Sequence, residues 1–153
     1  MGTMSGAAEG QHHERTARPL DAAALSRVVV GSLDEPSWDD LDRIRVVREF
    51  VRVVQDETGG PAEVAVLLEQ EPPATGHRGW DALFGGLAEW VASSRGIDPP
   101  AWAYAEGRFA DRFFFPQPTG FGKASALANA PAAFRRRGVF VDPLALESDG
   151  VSL

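Results

Sequence analysis

The chain has 153 residues, 44% of them hydrophobic and 24% charged, and its formal net charge is −7 at pH 7. This is the composition of an ordinary globular domain, and the acidic balance argues against general nucleic-acid binding, which usually needs a basic face. The lack of cysteine excludes disulfides and thiolate metal sites, and no apolar run is long enough to cross a bilayer.

The N-terminus predicts a disordered tail over residues 1–18, because this segment is small and polar and has no apolar period. It also lacks the charged-then-apolar order of a signal peptide, so we expect a cytoplasmic protein without membrane contact. A single helical domain is predicted over 19–147, followed by a flexible C-terminus over 148–153. Of the basic residues all but Lys123 are arginines, which is typical of a GC-rich bacterial gene.

Three helices are expected in the first half of this domain. The first lies within 19–32, and the second runs from Trp38 to Asp56, with Ser37 as its N-cap and Asp40 three residues later. The third begins at Pro61, which suits a first helical turn. The second helix is predicted from apolar residues that recur at helical spacing, namely Ile44, Val47, Val51 and Val54.

The clearest helix is predicted from Gly79 to Ser94. Its far side carries small residues, including Gly85 and Gly86, and each mid-helix glycine costs about 1 kcal/mol relative to alanine. Either this face is exposed and the glycines are tolerated, or another element approaches the helix backbone closely; we slightly favour the exposed face. The predicted core stripe consists of Trp80, Leu83, Phe84, Leu87, Trp90 and Val91.

The second half of the chain is rich in aromatic residues and prolines. Short helices are expected around 99–105 and 107–113, and the apolar run Phe113–Phe115 is expected to fill a gap between helices. A further helix follows in "GFGKASALANA", and Pro131 opens a short one that ends in arginines.

The chain then ends in a turn. Gly138 is expected as a left-handed C-cap, 139–141 as a short extended piece, and Asp142 as the N-cap of a final helical turn. The predicted architecture is therefore all-α, a bundle of six to eight short helices.

No catalytic, metal or cofactor site is predicted. The stretch "PTGFGKAS" departs from a phosphate-binding loop, because Gln117 and Ala124 occupy the positions of the first glycine and of the magnesium-binding hydroxyl. The tail residues His12, His13 and Glu14 have no further ligand held by a fold. A solvent-exposed loop is expected for His77. We therefore expect a protein that is not an enzyme.

The basic segment 108–137 is the main candidate for function. It holds six basic residues and one acid, Asp111, which is a local excess of five positive charges in an acidic chain. One arginine would suffice to offset the dipole at a helix C-terminus. The others would suit an acidic protein surface or a phosphate backbone, and the structural and functional interpretations weigh about equally. The predicted partner-binding residues are Arg108, Arg112, Lys123, Arg135, Arg136 and Arg137.

Phrases of the sequence also resemble the body of small bacterial proteins of toxin–antitoxin-like gene pairs. They are "EPPATGHRGWDALFGGLAEWVASSRGIDPPAW", "FFFP" and "ALANAPAAFRRRGVFVD", within residues 60–142. The resemblance implies a regulator or antitoxin beside a nucleotidyltransferase-like partner. Many of these relatives carry an N-terminal helix-turn-helix, whereas the helix predicted from Trp38 is too continuous for one.

The sequence therefore predicts a protein-interaction module, the antitoxin or regulatory member of a two-gene pair, that binds and masks a partner protein. The alternative is a transcriptional regulator that binds nucleic acid through the basic segment.

Overall fold

Seven α-helices and two short 3-10 helices make up the computed structural model, which describes residues 21–56, 60–116 and 120–147. These residues contain no β-sheet, so the predicted all-α class is confirmed. The expected tails 1–18 and 148–153 lie outside the described residues. The α-helices are α1 (Ala22–Leu33), α2 (Asp40–Gln55), α3 (Pro61–Glu69), α4 (Arg78–Ser94), α5 (Gly120–Asn129), α6 (Ala132–Arg135) and α7 (Pro143–Glu147).

Helix α2 begins two residues later than predicted, and Asp39, not Ser37, is its N-cap. The Asp39 carboxylate accepts a hydrogen bond from the Asp42 amide at 2.9 Å, and the Asp42 carboxylate accepts one from the Asp39 amide at 3.0 Å. This reciprocal pair is a capping box, which satisfies two backbone donors at once. The amide of Asp42 also lowers the pKa of the Asp39 carboxyl below its usual value.

Helix α4 lies at the centre of the fold. It packs against α6 and both 3-10 helices, and every residue from Gly79 to Glu89 is buried. A helix that is buried all round needs apolar or small residues on every face, which α4 has. The predicted core stripe is buried, apart from the half-buried Trp90.

The prediction that the small-residue face of α4 is exposed is wrong. Gly85 and Gly86 are both buried, and a Cβ atom on Gly86 would lie 2.7 Å from the Phe134 ring and 3.2 Å from its Cα. The alternative of close approach is therefore confirmed. Gly86 gives up helix propensity so that Phe134 of α6 can contact the α4 backbone.

The helices expected at 99–105 and 107–113 are shorter than predicted. They are 3-10 helices over Ala101–Tyr104 and Glu106–Arg108, and residues 109–113 are not helical. Two single turns meet end to end at Ala105, whose backbone is extended. Short 3-10 turns are common where a chain changes direction without room for a full helix.

The three consecutive phenylalanines do not fill one gap together. Phe114 forms an isolated parallel β-bridge with Val139, and neighbouring residues in extended backbone point to opposite sides. Phe114 packs on the core residue Trp80, with ring centroids 5.3 Å apart, whereas Phe113 is 71% exposed. The prediction that the whole run is covered is wrong for Phe113.

The turn features predicted for the C-terminal part are confirmed. Pro131 is the N-cap of α6, and Gly138 has a φ of 79°, a left-handed conformation that favours glycine. The extended piece expected near 139–141 is represented by the bridge at Val139. The Asp142 carboxylate accepts a hydrogen bond from the Leu144 amide at the start of α7.

Candidate partner-binding surface

The basic segment divides into buried and exposed cations. Arg108 and Arg137 are 3% and 1% exposed, so they cannot belong to a surface patch, and the predicted patch is wrong for these two residues. The other four members are exposed: Arg112, Lys123, Arg135 and Arg136.

Arg137 holds α4, α6 and the first 3-10 helix together. Its Nη1 lies 2.5 Å from a Glu89 carboxylate oxygen and 2.8 Å from the carbonyl oxygen of Ala133. Its Nη2 donates to the carbonyl oxygen of Ala103 at 2.7 Å. The bond to Ala133 stabilises the end of α6, and Arg135 serves the end of α5 in the same way by donating to the carbonyl oxygens of Leu127 and Ala130.

Two aromatic rings also contact the Arg137 guanidinium. Its central carbon lies 5.3 Å from the ring centroid of Tyr104 and 5.0 Å from that of Phe109. A desolvated guanidinium over an aromatic face gains a favourable cation–π interaction. These contacts partly offset the cost of burying the charge, since the Arg137 Nε has no hydrogen-bond partner among the described residues.

Arg108 anchors the loop before α4. Its Nη2 donates to the carbonyl oxygen of Pro72 at 2.6 Å, and its Nη1 lies 3.9 Å from a carboxylate oxygen of Asp81. That same Asp81 oxygen accepts the Thr75 amide at 2.8 Å. The sequence offered no partner for Asp81. The structure gives Asp81 a role in fixing the loop before α4.

Gly85 explains how two arginines fit beside one helix. A Cβ atom at this position would lie 2.8 Å from the Arg108 Cβ and 3.0 Å from the Arg137 Nε. The first distance is shorter than real Cβ contacts and the second is tighter than most of them, so glycine makes room here for both arginine side chains. Gly85 in the middle of a helix was thus the sequence feature that indicated the close approach of Arg108 and Arg137 to α4.

Arg136 is an intermediate case. Its Nη1 lies 2.7 Å from the second carboxylate oxygen of Glu89, while 51% of its side chain is exposed. Glu89 therefore pairs with two consecutive arginines, one on each oxygen. The Glu89 carboxylate thus neutralises part of the positive charge that Arg136 places at the surface.

The remaining cations surround a group of phenylalanines. Phe140 contacts Phe113 edge-on and stacks with Phe115, with ring centroids 5.1 and 5.2 Å apart. Lys123 lies over the ring of Phe115 and Arg135 over that of Phe140. With the exposed Arg112, which precedes Phe113, and with the buried Phe140 beneath them, these residues form what we call the aromatic–cationic surface: Arg112, Phe113, Phe115, Lys123, Arg135 and Phe140.

The cations of this surface have no acidic partner within the described part of the chain. No carboxylate of residues 21–56, 60–116 or 120–147 forms an ion pair with Arg112, Lys123 or Arg135. Arg135 is held in place through its Nη2 alone, which donates to the carbonyl oxygens of Leu127 and Ala130 at 3.0 and 3.4 Å. Its Nε and Nη1 form no hydrogen bond with any of the described residues.

The other side chains considered from sequence have structural roles or lie elsewhere. His77 is exposed as expected and is the N-cap of α4, where its Nδ1 accepts the Trp80 amide at 3.2 Å. Ser125 donates a hydrogen bond to Asp142, which ties α5 to the start of α7.

Neither a metal cluster nor a membrane span occurs within the described ranges. No three acidic or histidine side chains there lie close enough to hold a metal ion, and no helix is both long and apolar enough to cross a bilayer. The candidate ligands His12, His13 and Glu14 lie outside these ranges.

One cleft of about 190 Å³ opens beside α2 and α4, and Trp90, Arg95 and Glu147 are among its lining residues. The polar groups are already bonded within the protein: Arg95 donates to the carbonyl oxygen of Val54 at 2.6 Å, and Gln55 lies 3.4 Å from Glu147. None of the cations of the basic segment lines this cleft. The aromatic–cationic surface is therefore the stronger candidate site.

Comparisons with models of known protein families, with curated proteins and with solved structures give no match. The resemblance to antitoxin-like proteins over 60–142 therefore stays a prediction.

Proposed function

We propose that the protein is an interaction module, the antitoxin or regulatory member of a two-gene pair, that binds and masks an acidic surface of a partner protein. The observation that carries the proposal is the aromatic–cationic surface. Three of its cations lack an ion pair among the described residues, in a chain whose net charge is −7. The resemblance to proteins of toxin–antitoxin-like pairs supports the same role, with a nucleotidyltransferase-like toxin as the expected partner.

Electrostatics favour binding over a purely structural role for these cations. Arg108 and Arg137 are buried inside the fold, so part of the local excess of positive charge is explained without a partner protein. Lys123 and Arg135 are exposed, and exposed charges contribute little to stability. Complementary charges across an interface instead raise the association rate and make it depend on salt.

Co-expression with the product of the adjacent gene, followed by size-exclusion chromatography, tests the proposal. We expect the two chains to elute as one complex. Replacing Lys123 and Arg135 by serine is expected to slow association about tenfold at low ionic strength and to flatten its salt dependence. Arg27→Ser is the matched control, because Arg27 is an exposed arginine on α1. Separate elution of the two chains would contradict the proposal.

Nucleic-acid binding is the second candidate, and one observation favours it. An exposed aromatic ring flanked by cations is typical of surfaces on which bases of single strands stack. Retention of duplex or single-stranded DNA that weakens with added salt, and that the Lys123→Ser and Arg135→Ser exchanges abolish, would support a regulator in place of an antitoxin.

A further inference from the structure

Phe113 is the most unusual residue of the aromatic–cationic surface. It is 71% exposed, yet its neighbours in the chain are bonded firmly: the Phe114 amide donates to the Gly138 carbonyl oxygen at 2.8 Å, and the Phe140 amide donates to the Phe114 carbonyl oxygen at 2.9 Å. Its ring packs edge-on against Phe140. The fold thus holds a large aromatic side chain at the surface in a defined position.

A fixed and exposed aromatic residue is well suited to be a binding anchor. Aromatic side chains are enriched among the residues that dominate interface energies. A side chain that is already ordered loses little conformational entropy on binding. A Cβ atom added at Gly138 would lie 3.8 Å from the Phe113 ring, so the glycine turn lies near this ring.

The charges around Phe113 set the chemistry of the partner. Arg112 precedes it in the chain, and the rings of Phe140 and Phe115 connect it to Arg135 and Lys123. Arg135 has Nε and Nη1 without a hydrogen bond among the described residues, so each of these nitrogens has a donor left for an acidic oxygen. The nearest acids in sequence do not cancel this charge, since Asp111 forms no ion pair in the described chain and Asp142 binds Ser125.

From these observations we infer that the aromatic–cationic surface binds a short acidic peptide segment of its partner, with one apolar or aromatic side chain packed on Phe113 and flanking carboxylates paired with Arg112, Lys123 and Arg135. This inference rests on the proposed function and names the recognised chemistry.

A nucleic-acid strand fits this surface less well than a peptide does. Phosphate-backbone affinity grows with the number of phosphates neutralised, and three cations supply few such contacts. The rest of the chain is strongly acidic, because the whole chain has a net charge of −7 despite the positive basic segment, and this disfavours a longer strand. A segment of about five residues spans only about 17 Å when extended, so its charges stay within the basic region.

The test uses peptides in which one central residue is flanked on each side by two acidic residues. The central residue is Phe, Trp or Leu in the probes and Gly in the control peptide, and binding to the full chain is measured by fluorescence anisotropy. We expect the apolar peptides to bind at least fivefold more tightly than the glycine control. Phe113→Ala is expected to weaken their binding about five- to thirtyfold, as for an interface hot spot.

Val66→Ala is the matched control variant, because Val66 is 64% exposed on α3 and lies outside the surface. It should leave peptide binding unchanged, and both variants should keep the melting temperature of the parent chain. Equal binding to the parent and to Phe113→Ala, or no binding of any peptide, would overturn the inference. Preferential binding of a single-stranded oligothymidylate that depends on Phe113 would also overturn it.

The outcome for the proposed function is read separately, in the co-expression experiment. If the complex forms and Phe113→Ala leaves its affinity unchanged, the inference is wrong and the proposed function stands. If no complex forms, the proposed function fails whatever the peptides do.

Discussion

Arg135 and Arg137 are two residues apart and have the same side chain, yet they belong to different regions of the molecule. Arg137 is enclosed by α4, α6 and two aromatic rings, and its guanidinium is paired with the buried carboxylate of Glu89. Arg135 is exposed, lies over the ring of Phe140 and, among the described residues, donates only to backbone carbonyls. In a run of charged residues, the surroundings of each side chain therefore decide whether it is buried or exposed. For Arg137 these surroundings are Glu89 and the space beside Gly85.

The largest effect is expected from Arg137→Met, which removes the cation and leaves Glu89 buried. Breaking one side of a buried ion pair costs about 3 to 5 kcal/mol of unfolding free energy. Urea denaturation with and without the second change Glu89→Leu would show the cause, because the double variant should recover much of the loss. A loss below about 1 kcal/mol for Arg137→Met alone would mean that Arg136 suffices for Glu89.

Leu87→Ala tests how much the apolar core contributes to stability, beside the buried ion pair of Arg137 and Glu89. Leu87 is 2% exposed in the middle of α4, so truncation should cost about 2 to 5 kcal/mol, as for other buried leucines. The free energy of unfolding from chemical denaturation gives the value. Leu144→Ala is the control, because Leu144 is 71% exposed, and a similar loss there would contradict the assignment of α4 as the core.

Gly85→Ala tests whether close packing places the arginines. The new methyl group would lie 3.1 Å from the Ala103 carbonyl oxygen and closer still to Arg108, so we expect a net loss of about 1 to 3 kcal/mol. Gly31→Ala is the matched exchange within α1, where no atom lies within 4 Å of the added Cβ. It should raise stability by about 0.5 kcal/mol through helix propensity. Changes of the same sign in calorimetry would contradict this comparison.

The smallest effect on stability is expected from Arg135→Ser. The residue is exposed and makes no ion pair with a described residue, so its removal should change the free energy of unfolding by less than about 0.5 kcal/mol. A melting curve beside that of Arg137→Met sharpens the contrast, because the two sites differ by two positions only. Melting as early as Arg137→Met would show that Arg135 is also part of the folded interior.

Local patterns predicted most of the helices because their signals lie within one element. The apolar period of α2, the proline at the start of α3 and the glycine after α6 act over a few residues. The start of α2 was misplaced because Ser37 and Asp39 are both good caps, and only Asp42 decides between them. The N-cap is Asp39 because the carboxylate of its N3 residue, Asp42, accepts the Asp39 amide in return.

The candidate site was predicted only in part because burial of a charge depends on distant residues. Glu89 and Arg137 are 48 positions apart, and nothing near either one marks them as partners. Phe113 was expected inside because its run is apolar, and its exposure follows from the pairing of Phe114 with Val139. The mid-helix glycines carried the one usable signal, since such residues often mark close approach.

The bridge between Phe114 and Val139 also limits how this part of the chain can vary in length. Alternate residues of an extended segment face opposite sides, so a deletion or insertion of one residue would exchange the side chain that plugs the interior with the one that is displayed. The pairing therefore fixes the spacing of residues 113 and 115 relative to residue 114. A deletion or insertion of one residue here would therefore disturb both the aromatic–cationic surface and the core.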